Sequence, residues 1–221
     1  MSALYYCRQT TTACKGIPYP SKTHPYRYGT SGCVYTSGCG MCVSLMALRN
    51  STTRVFNTRQ WTHRCLGMGA RAAEGTDMAV VARYMKEKYG LDYAVTTDMD
   101  RLLAHLKQGY KAIINVSGGG KMLFSNSGHY VLAAGIDKNG NLIILDPYWY
   151  DGKFTLTAAR RKYTRVKNGR EVYVRPADLK GDVLSMWLFT PKRDVRLAYS
   201  VNDMHYRKSA PTAPTVKHGT Y

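Results

Sequence analysis

Acidic residues are scarce in this chain. Among its 221 residues, 14 Asp and Glu stand against 32 Lys and Arg, a formal net charge of +18. That imbalance favours a polyanionic neighbour, whether nucleic acid, an anionic membrane surface or an anionic cell-wall polymer, and says nothing about the fold. Long hydrophobic runs are missing too. No stretch approaches the roughly 20 apolar residues of a membrane-spanning helix, so no membrane span is predicted. The opening Met1-Ser2-Ala3-Leu4-Tyr5-Tyr6-Cys7-Arg8 lacks the apolar core of a secretory signal. Synthesis in a cytoplasm is expected, with release by lysis or carriage on a particle as routes that need no signal.

Cysteine is absent beyond position 65. The six lie at 7, 14, 33, 39, 42 and 65. Only one Cys-x-x-Cys occurs, Cys39 to Cys42, and the regular spacing of a zinc finger is lacking although Cys33, His63 and Cys65 are nearby. Thr36-Ser37-Gly38 does not read as the strand that precedes a thioredoxin-like motif. No metal and no cofactor are therefore expected. Cys7 and Cys14 are a candidate pair in an oxidising compartment. Internal repeats are absent, and the glycine-rich Ser117-Gly118-Gly119-Gly120-Lys121 lacks Walker spacing. It reads as a mobile loop beside a cleft.

What is present is a globular composition, 44% hydrophobic and 21% charged, long enough for one substantial core. Residues 1–25 are polar and proline-bearing and read as an arm wrapping the domain. Residues 26–195 read as the domain, and 196–221, with Ser209-Ala210-Pro211-Thr212-Ala213-Pro214, as a tail. Helices are predicted from Cys39 to about Asn50, near Thr58–Cys65, over Met78–Tyr89 behind the cap Asp77, and from the cap Asp98 to Lys107. His105 on the last of these reads as exposed or capping. Strands are predicted at 93–96, 111–116, 171–174 and 184–189, with a hairpin from His129 to Leu145 turning at Lys138-Asn139-Gly140. Helices first and strands later make an α+β fold, a helical N-terminal half packed on an antiparallel sheet.

The chemistry concentrates at Ser37-Gly38-Cys39-Gly40. A thiol at a helix start meets unpaired N–H groups and the positive end of the helix dipole, both of which favour thiolate. The flanking glycines allow close approach of other groups. In the hairpin, His129 opens the first strand and Asp146 closes the second, so the antiparallel pairing makes them neighbours. A base, its orienting carboxylate and a helix-start thiol are the parts a cysteine nucleophile needs. His63 is a rival base in an ordinary context, and Asn115 or Asn126 would orient the imidazole if Asp146 lay elsewhere.

Taken together, Ser-Gly-Cys-Gly before an apolar helix, Gly128-His129-Tyr130-Val131, and Asp146-Pro147 after a hairpin resemble the papain-like cysteine peptidases, in the branch related to leader peptidases of bacteriocin exporters. The likeness covers roughly residues 25 to 190. It implies a papain-like fold and acyl transfer with Cys39 as nucleophile, His129 as base and Asp146 as orienting acid. The family often carries an oxyanion-hole glutamine six residues before the nucleophile, where this chain has Cys33. The oxyanion donors expected in its place are the Cys39 N–H, an N–H of the Cys33–Ser37 loop, and the hydroxyls of Tyr35 and Ser37.

Arg160, Arg161, Lys162, Arg165 and Arg170, with Tyr163 and Tyr173 interleaved, form the best polyanion contact. An anionic cell-wall polymer is the favoured partner and nucleic acid the less favoured one. The function expected is hydrolysis of peptide bonds in bacterial peptidoglycan. Processing of a protein or leader peptide is the alternative, followed by an inactive peptidase-like module that binds polyanion. Oligomeric state is not readable.

Overall fold

In the computed structural model, residues 4–192 are described. The tail expected from 196 onward lies outside them. Four helices come early: α1 (Cys39–Ser51), α2 (Thr58–Gly67), α3 (Met78–Tyr89) and, after strand β1 (Leu91–Thr96), α4 (Met99–Lys107). The strands β2 (Lys111–Val116), β3 (His129–Ile136) and β4 (Leu142–Leu145) follow. A short helix α5 (Ala158–Tyr163) leads into β5 (Thr164–Lys167), β6 (Glu171–Val174) and the closing strand β7 (Val183–Pro191).

Residue choice explains these boundaries. Every residue of α1 from Gly40 to Leu48 is buried. A helix apolar on all sides has no other stable location than a core. Asp77 accepts from the Ala79 and Val80 amides to start α3, and Gly90 ends it in the left-handed region at φ 62°. Asp98 caps α4 in the same way, and Asn57 with Gln60 forms a reciprocal capping box on α2.

The seven large strands form one sheet in the order β1-β7-β2-β3-β4-β6-β5, each neighbour antiparallel. Alternation along the central strands divides the core. Ile113, Leu132 and Leu145 join the cluster under α1, α2 and α3, with Trp61 and Met85. Ala112, Ile114, Val131, Ala133 and Ile144 face the opposite cluster, with Leu102 and Leu106 of α4 and with Phe124 and Phe154. Burying both faces fixes the register, because a one-residue slip would exchange them.

Several expectations are revised. His105 is buried, and its Nε2 lies 3.3 Å from the Lys111 carbonyl and 3.1 Å from that of Phe189, joining α4 to β2 and β7. The segment ahead of Cys39 is not a flexible loop but a helical turn, Val34–Ser37. Its Ser37 and Gly38 amides are spent on the Cys33 and Val34 carbonyls, at 3.0 and 2.9 Å. The glycine-rich loop is held at Asp182, whose carboxylate accepts from the Met122 and Leu123 amides at 3.2 and 3.1 Å. The expected arm contains a single helical turn, Thr12–Lys15.

Candidate active site

Cys39 is the first residue of α1, behind the N-cap Gly38. Gly40 is there for lack of space: a Cβ would stand 2.6 Å from the Thr76 Cβ and 3.2 Å from the Tyr130 ring. The thiol is half-buried. Burial pushes it up, yet hydrogen bonding and charge from His129, with backbone N–H groups of Tyr130 and Gly40, bring it below the ordinary cysteine value.

His129 opens β3 opposite Val116, the last residue of β2. Asp146 follows β4 immediately and is fully buried. The His129 Nε2 donates to Asp146 Oδ1 across 2.8 Å, which leaves Nδ1 for the thiol. Burial alone would pull the imidazole down. Asp146 and the Cys39 thiolate overcome this and raise it to about 9. Asp146 is itself pushed up by burial and brought net below the usual carboxylate range by the charges of His129 and Lys153. The lowered thiol and the raised imidazole both shift the pair toward thiolate–imidazolium and away from the neutral form. Asn115, in β2, and the exposed Asn126 are not needed to orient the ring, and His63 is exposed on α2.

Two buried polar residues near this centre escape sequence reasoning. Lys153 is 2% exposed, and its Nζ lies 2.5 Å from the second oxygen of Asp146 and 2.9 Å from the Tyr148 carbonyl. Burial pulls its ammonium down and Asp146 opposes that. The one sequence signal was a lone lysine inside an aromatic run, Tyr148 to Phe154. The other is Gln9, 2% exposed in the arm. Its backbone N–H donates to the Pro147 carbonyl at 2.9 Å and its Nε2 to the Tyr35 carbonyl at 3.1 Å, while Oε1 has no hydrogen-bond partner. Its amide therefore lies between the residue after Asp146 and the turn before Cys39, with one N–H still uncommitted. Nothing local in the sequence marks it.

The other expected site residues distribute unevenly. Cys33 is fully buried as the N-cap of the Val34–Ser37 turn. Tyr35 has its ring beneath the Lys15 ammonium, 5.1 Å from the centroid, and Ser37 Oγ meets only Thr36 at 3.4 Å. The Cys7 sulfur lies 3.5 Å from the Thr58 hydroxyl and that of Cys14 accepts from the Thr11 hydroxyl at 3.1 Å, and all six cysteines are free thiols. Arg160 is a correction. It is buried, with Nε on the Met122 carbonyl at 3.3 Å and a terminal nitrogen on that of Lys153 at 3.2 Å, so it is a brace inside the fold and offers nothing to a polymer. Arg161, Lys162 and Arg165 are exposed, and Arg170 is half-buried. Lys162, Arg165, Lys167 and Arg175 line a cleft of about 520 Å³ with Tyr163 and Tyr173. That cleft includes Asp137, Asn139 and Asn141 of the β3–β4 turn, at the end of the hairpin opposite His129 and Asp146.

The Peptidase_C39 like family model matches residues 14–171. Among solved structures, one match is the peptidase domain of Streptococcus ComA, a bi-functional ABC transporter involved in a quorum-sensing pathway. It is 13% identical, with a TM-score of 0.47, covering 80% of this chain and 97% of that one. No curated protein matches. Among the described residues, no three His, Cys, Asp or Glu side chains are grouped so as to hold a metal, and no helix is long and apolar enough to cross a membrane.

Proposed function

We propose, for a chain that belongs to the Peptidase_C39 like family and so is a papain-like cysteine peptidase, that Cys39 is the nucleophile, His129 the acid–base and Asp146 the orienting carboxylate. The observation that carries this reading is the 2.8 Å His129–Asp146 contact, with the same imidazole placed to lower the Cys39 thiol. The Cys39 thiolate attacks the scissile carbonyl carbon, forming a C–S bond and moving the carbonyl π pair onto oxygen. Cys39 supplies one oxyanion donor, an N–H left without an intrahelical partner at the first position of α1. The free N–H of the Gln9 amide supplies the second, in place of the glutamine absent at Cys33. The tetrahedral centre collapses, the C–N bond breaks, and the His129 imidazolium protonates the leaving amine. His129 then takes a proton from water, which attacks the thioester and releases the acid and the thiolate.

For substrate, the reading is a peptide bond in bacterial peptidoglycan. The +18 net charge and the cation-lined cleft away from the catalytic centre both favour docking on a wall rich in anionic polymer. A zymogram on several bacterial walls, run beside Cys39→Ala, tests it. Clearing by the wild type alone supports the wall reading. Turnover of soluble peptides with no clearing of any wall would move the substrate to a protein or leader peptide, and activity in Cys39→Ala would remove the nucleophile assignment.

A further inference from the structure

We propose that Lys153 is a positioning residue for this peptidase: its ammonium, seated on the second oxygen of Asp146, locks that carboxylate behind His129 and adds positive charge to the Cys39–His129 pair. The proposal rests on the catalytic reading of Cys39, His129 and Asp146. Lysine is among the residues least often fully buried, and this one is 2% exposed. Two of its protons meet Asp146 Oδ2 and the Tyr148 carbonyl, at 2.5 and 2.9 Å. The rest of the ammonium is enclosed by the rings of Tyr148, Tyr150 and Phe154, with centroids at 5.3, 5.9 and 5.6 Å. Gly152, left-handed at φ 78°, makes the turn that delivers the side chain inward. Arg160 braces that turn from behind through the Lys153 carbonyl, 3.2 Å away.

A buried ion pair is a poor source of stability, since well-packed apolar residues of similar volume often do as well or better. What Lys153 does that an apolar side chain does not is electrostatic. Asp146 accepts from His129 and the Tyr148 amide on Oδ1, and from Lys153 on Oδ2. The carboxylate is thereby held in one orientation with both oxygens occupied. The active state holds two anions, the Cys39 thiolate and Asp146, and two cations, the His129 imidazolium and Lys153. The other polar and charged groups packed on this cluster are Tyr6, whose hydroxyl donates to the Asp146 carbonyl at 2.6 Å, the hydroxyl-bearing Tyr148 and Tyr150, and Arg160. Without the lysine charge, one imidazolium would balance two anions. The thiol would then hold its proton to higher pH, and so would the imidazolium.

The sign of that change makes the test specific. The pH profiles of kcat/KM on a soluble peptide and of iodoacetamide alkylation are recorded for wild type, Lys153→Met and Lys153→Arg, with Cys39→Ala as control. In Lys153→Met both limbs should move upward together by about one pH unit. At a pH on the acid limb, turnover should fall roughly ten-fold, through kcat and not KM. Lys153→Arg keeps the charge and should leave both limbs in place even if its rate falls. A residue that only packs would lower the rate without moving the limbs. Unmoved limbs in Lys153→Met, or equal movement in Lys153→Arg, would overturn the proposal. If Lys153→Met does not fold, Lys153→Gln, which keeps a hydrogen bond to Asp146 and drops the charge, is measured in its place. Activity in Cys39→Ala would instead sink the catalytic reading underneath, so the two failures are distinguishable.

Discussion

Two regions invite comparison: the arm, described from residue 4 to 25, and the basic segment, 158 to 175. The arm carries little charge and no motif, yet it reaches almost every element around the candidate active site. The Tyr6 hydroxyl holds the Asp146 carbonyl, Gln9 bridges Pro147 and Tyr35, Arg8 Nε donates to the Trp149 carbonyl at 3.2 Å, and the Tyr5 amide donates to Asn50 of α1 at 2.8 Å. The basic segment packs seven Lys and Arg into 18 residues, and of these Arg160 reaches the surround of the site, through the Lys153 carbonyl at 3.2 Å. Charge density marks what a surface will attract. Buttressing of a catalytic centre is marked by burial and hydrogen bonding, which belong to tertiary structure.

The sharpest way to break that contrast is to remove the arm's amide. Gln9→Ala should lower kcat/KM about 100- to 1,000-fold if the side chain is the second oxyanion donor, the usual loss for one such group. The loss should fall on kcat, and Gln9→Glu, which keeps the shape without the donor, should not rescue it. A full rate in folded Gln9→Ala would return the donor to Tyr35 or Ser37, where Tyr35→Phe and Ser37→Ala would then show the loss.

The next effect is in pH. Cys39 lies below the ordinary thiol value and His129 is raised to about 9. Thiolate appears as pH rises through the first, and imidazolium is lost as pH rises through the second. Activity should therefore form a plateau ending near pH 9, with about a ten-fold change per pH unit outside it. In limited alkylation near neutral pH, mass-spectrometric mapping should find Cys39 labelled first, since burial raises Cys14, Cys42 and Cys65. Labelling that begins at Cys33 or Cys65 while Cys39 stays inert would refute the assignment.

Arg160 gives a smaller effect and divides the basic segment internally. It is a buried brace, so Arg160→Ala should cost about 2 kcal/mol of stability through lost charged hydrogen bonds and stem packing. Thermal melting measures this, and an unchanged melting temperature would place Arg160 with its exposed neighbours.

Legibility followed the same division. Local signals were sufficient for Asp77, Asp98 and Gly90 at helix ends, for β2 at 111–116 and for the His129–Leu145 hairpin, whose antiparallel geometry also predicted that His129 and Asp146 would meet. The α+β papain-like fold was readable from element order and from three short motifs in sequence. Contacts spanning long separations were not readable. Gln9 and Pro147 are 138 positions apart in the chain, and no periodicity or capping rule connects them. By residue type His105 is expected at the surface or at a helix cap, and Arg160 at the surface. Their burial depends on carbonyls of Lys111, Phe189, Met122 and Lys153, which only the assembled fold brings within reach.

The smallest expected effect on catalysis is the largest on docking. Arg161, Lys162 and Arg165 are exposed, and the last two line the cleft with Lys167 and Arg175. Asp178 Oδ2 pairs with Arg175 at 2.6 Å and Asp137 accepts from the Asn139 and Asn141 amides of its own turn, so neither carboxylate is ion-paired with Arg161, Lys162 or Arg165. Changing Arg161, Lys162 and Arg165 to Glu removes three cations and adds three anions, a net change of −6 from the formal +18. Binding to isolated walls should weaken, and so should its dependence on salt, because screening acts on exposed charges. The cleft lies at the far end of the β3–β4 hairpin, about 25 Å from His129 at the strand rise per residue and beyond the ~8 Å Debye length at physiological salt. Turnover of a small neutral peptide should therefore stay within about two-fold and both pH limbs should hold their positions. Loss of small-peptide turnover in the folded triple variant would place the basic segment in the catalytic site after all. Unchanged wall binding would leave the cleft without the role its charge suggests, and the contrast between the two regions would then rest on the arm alone.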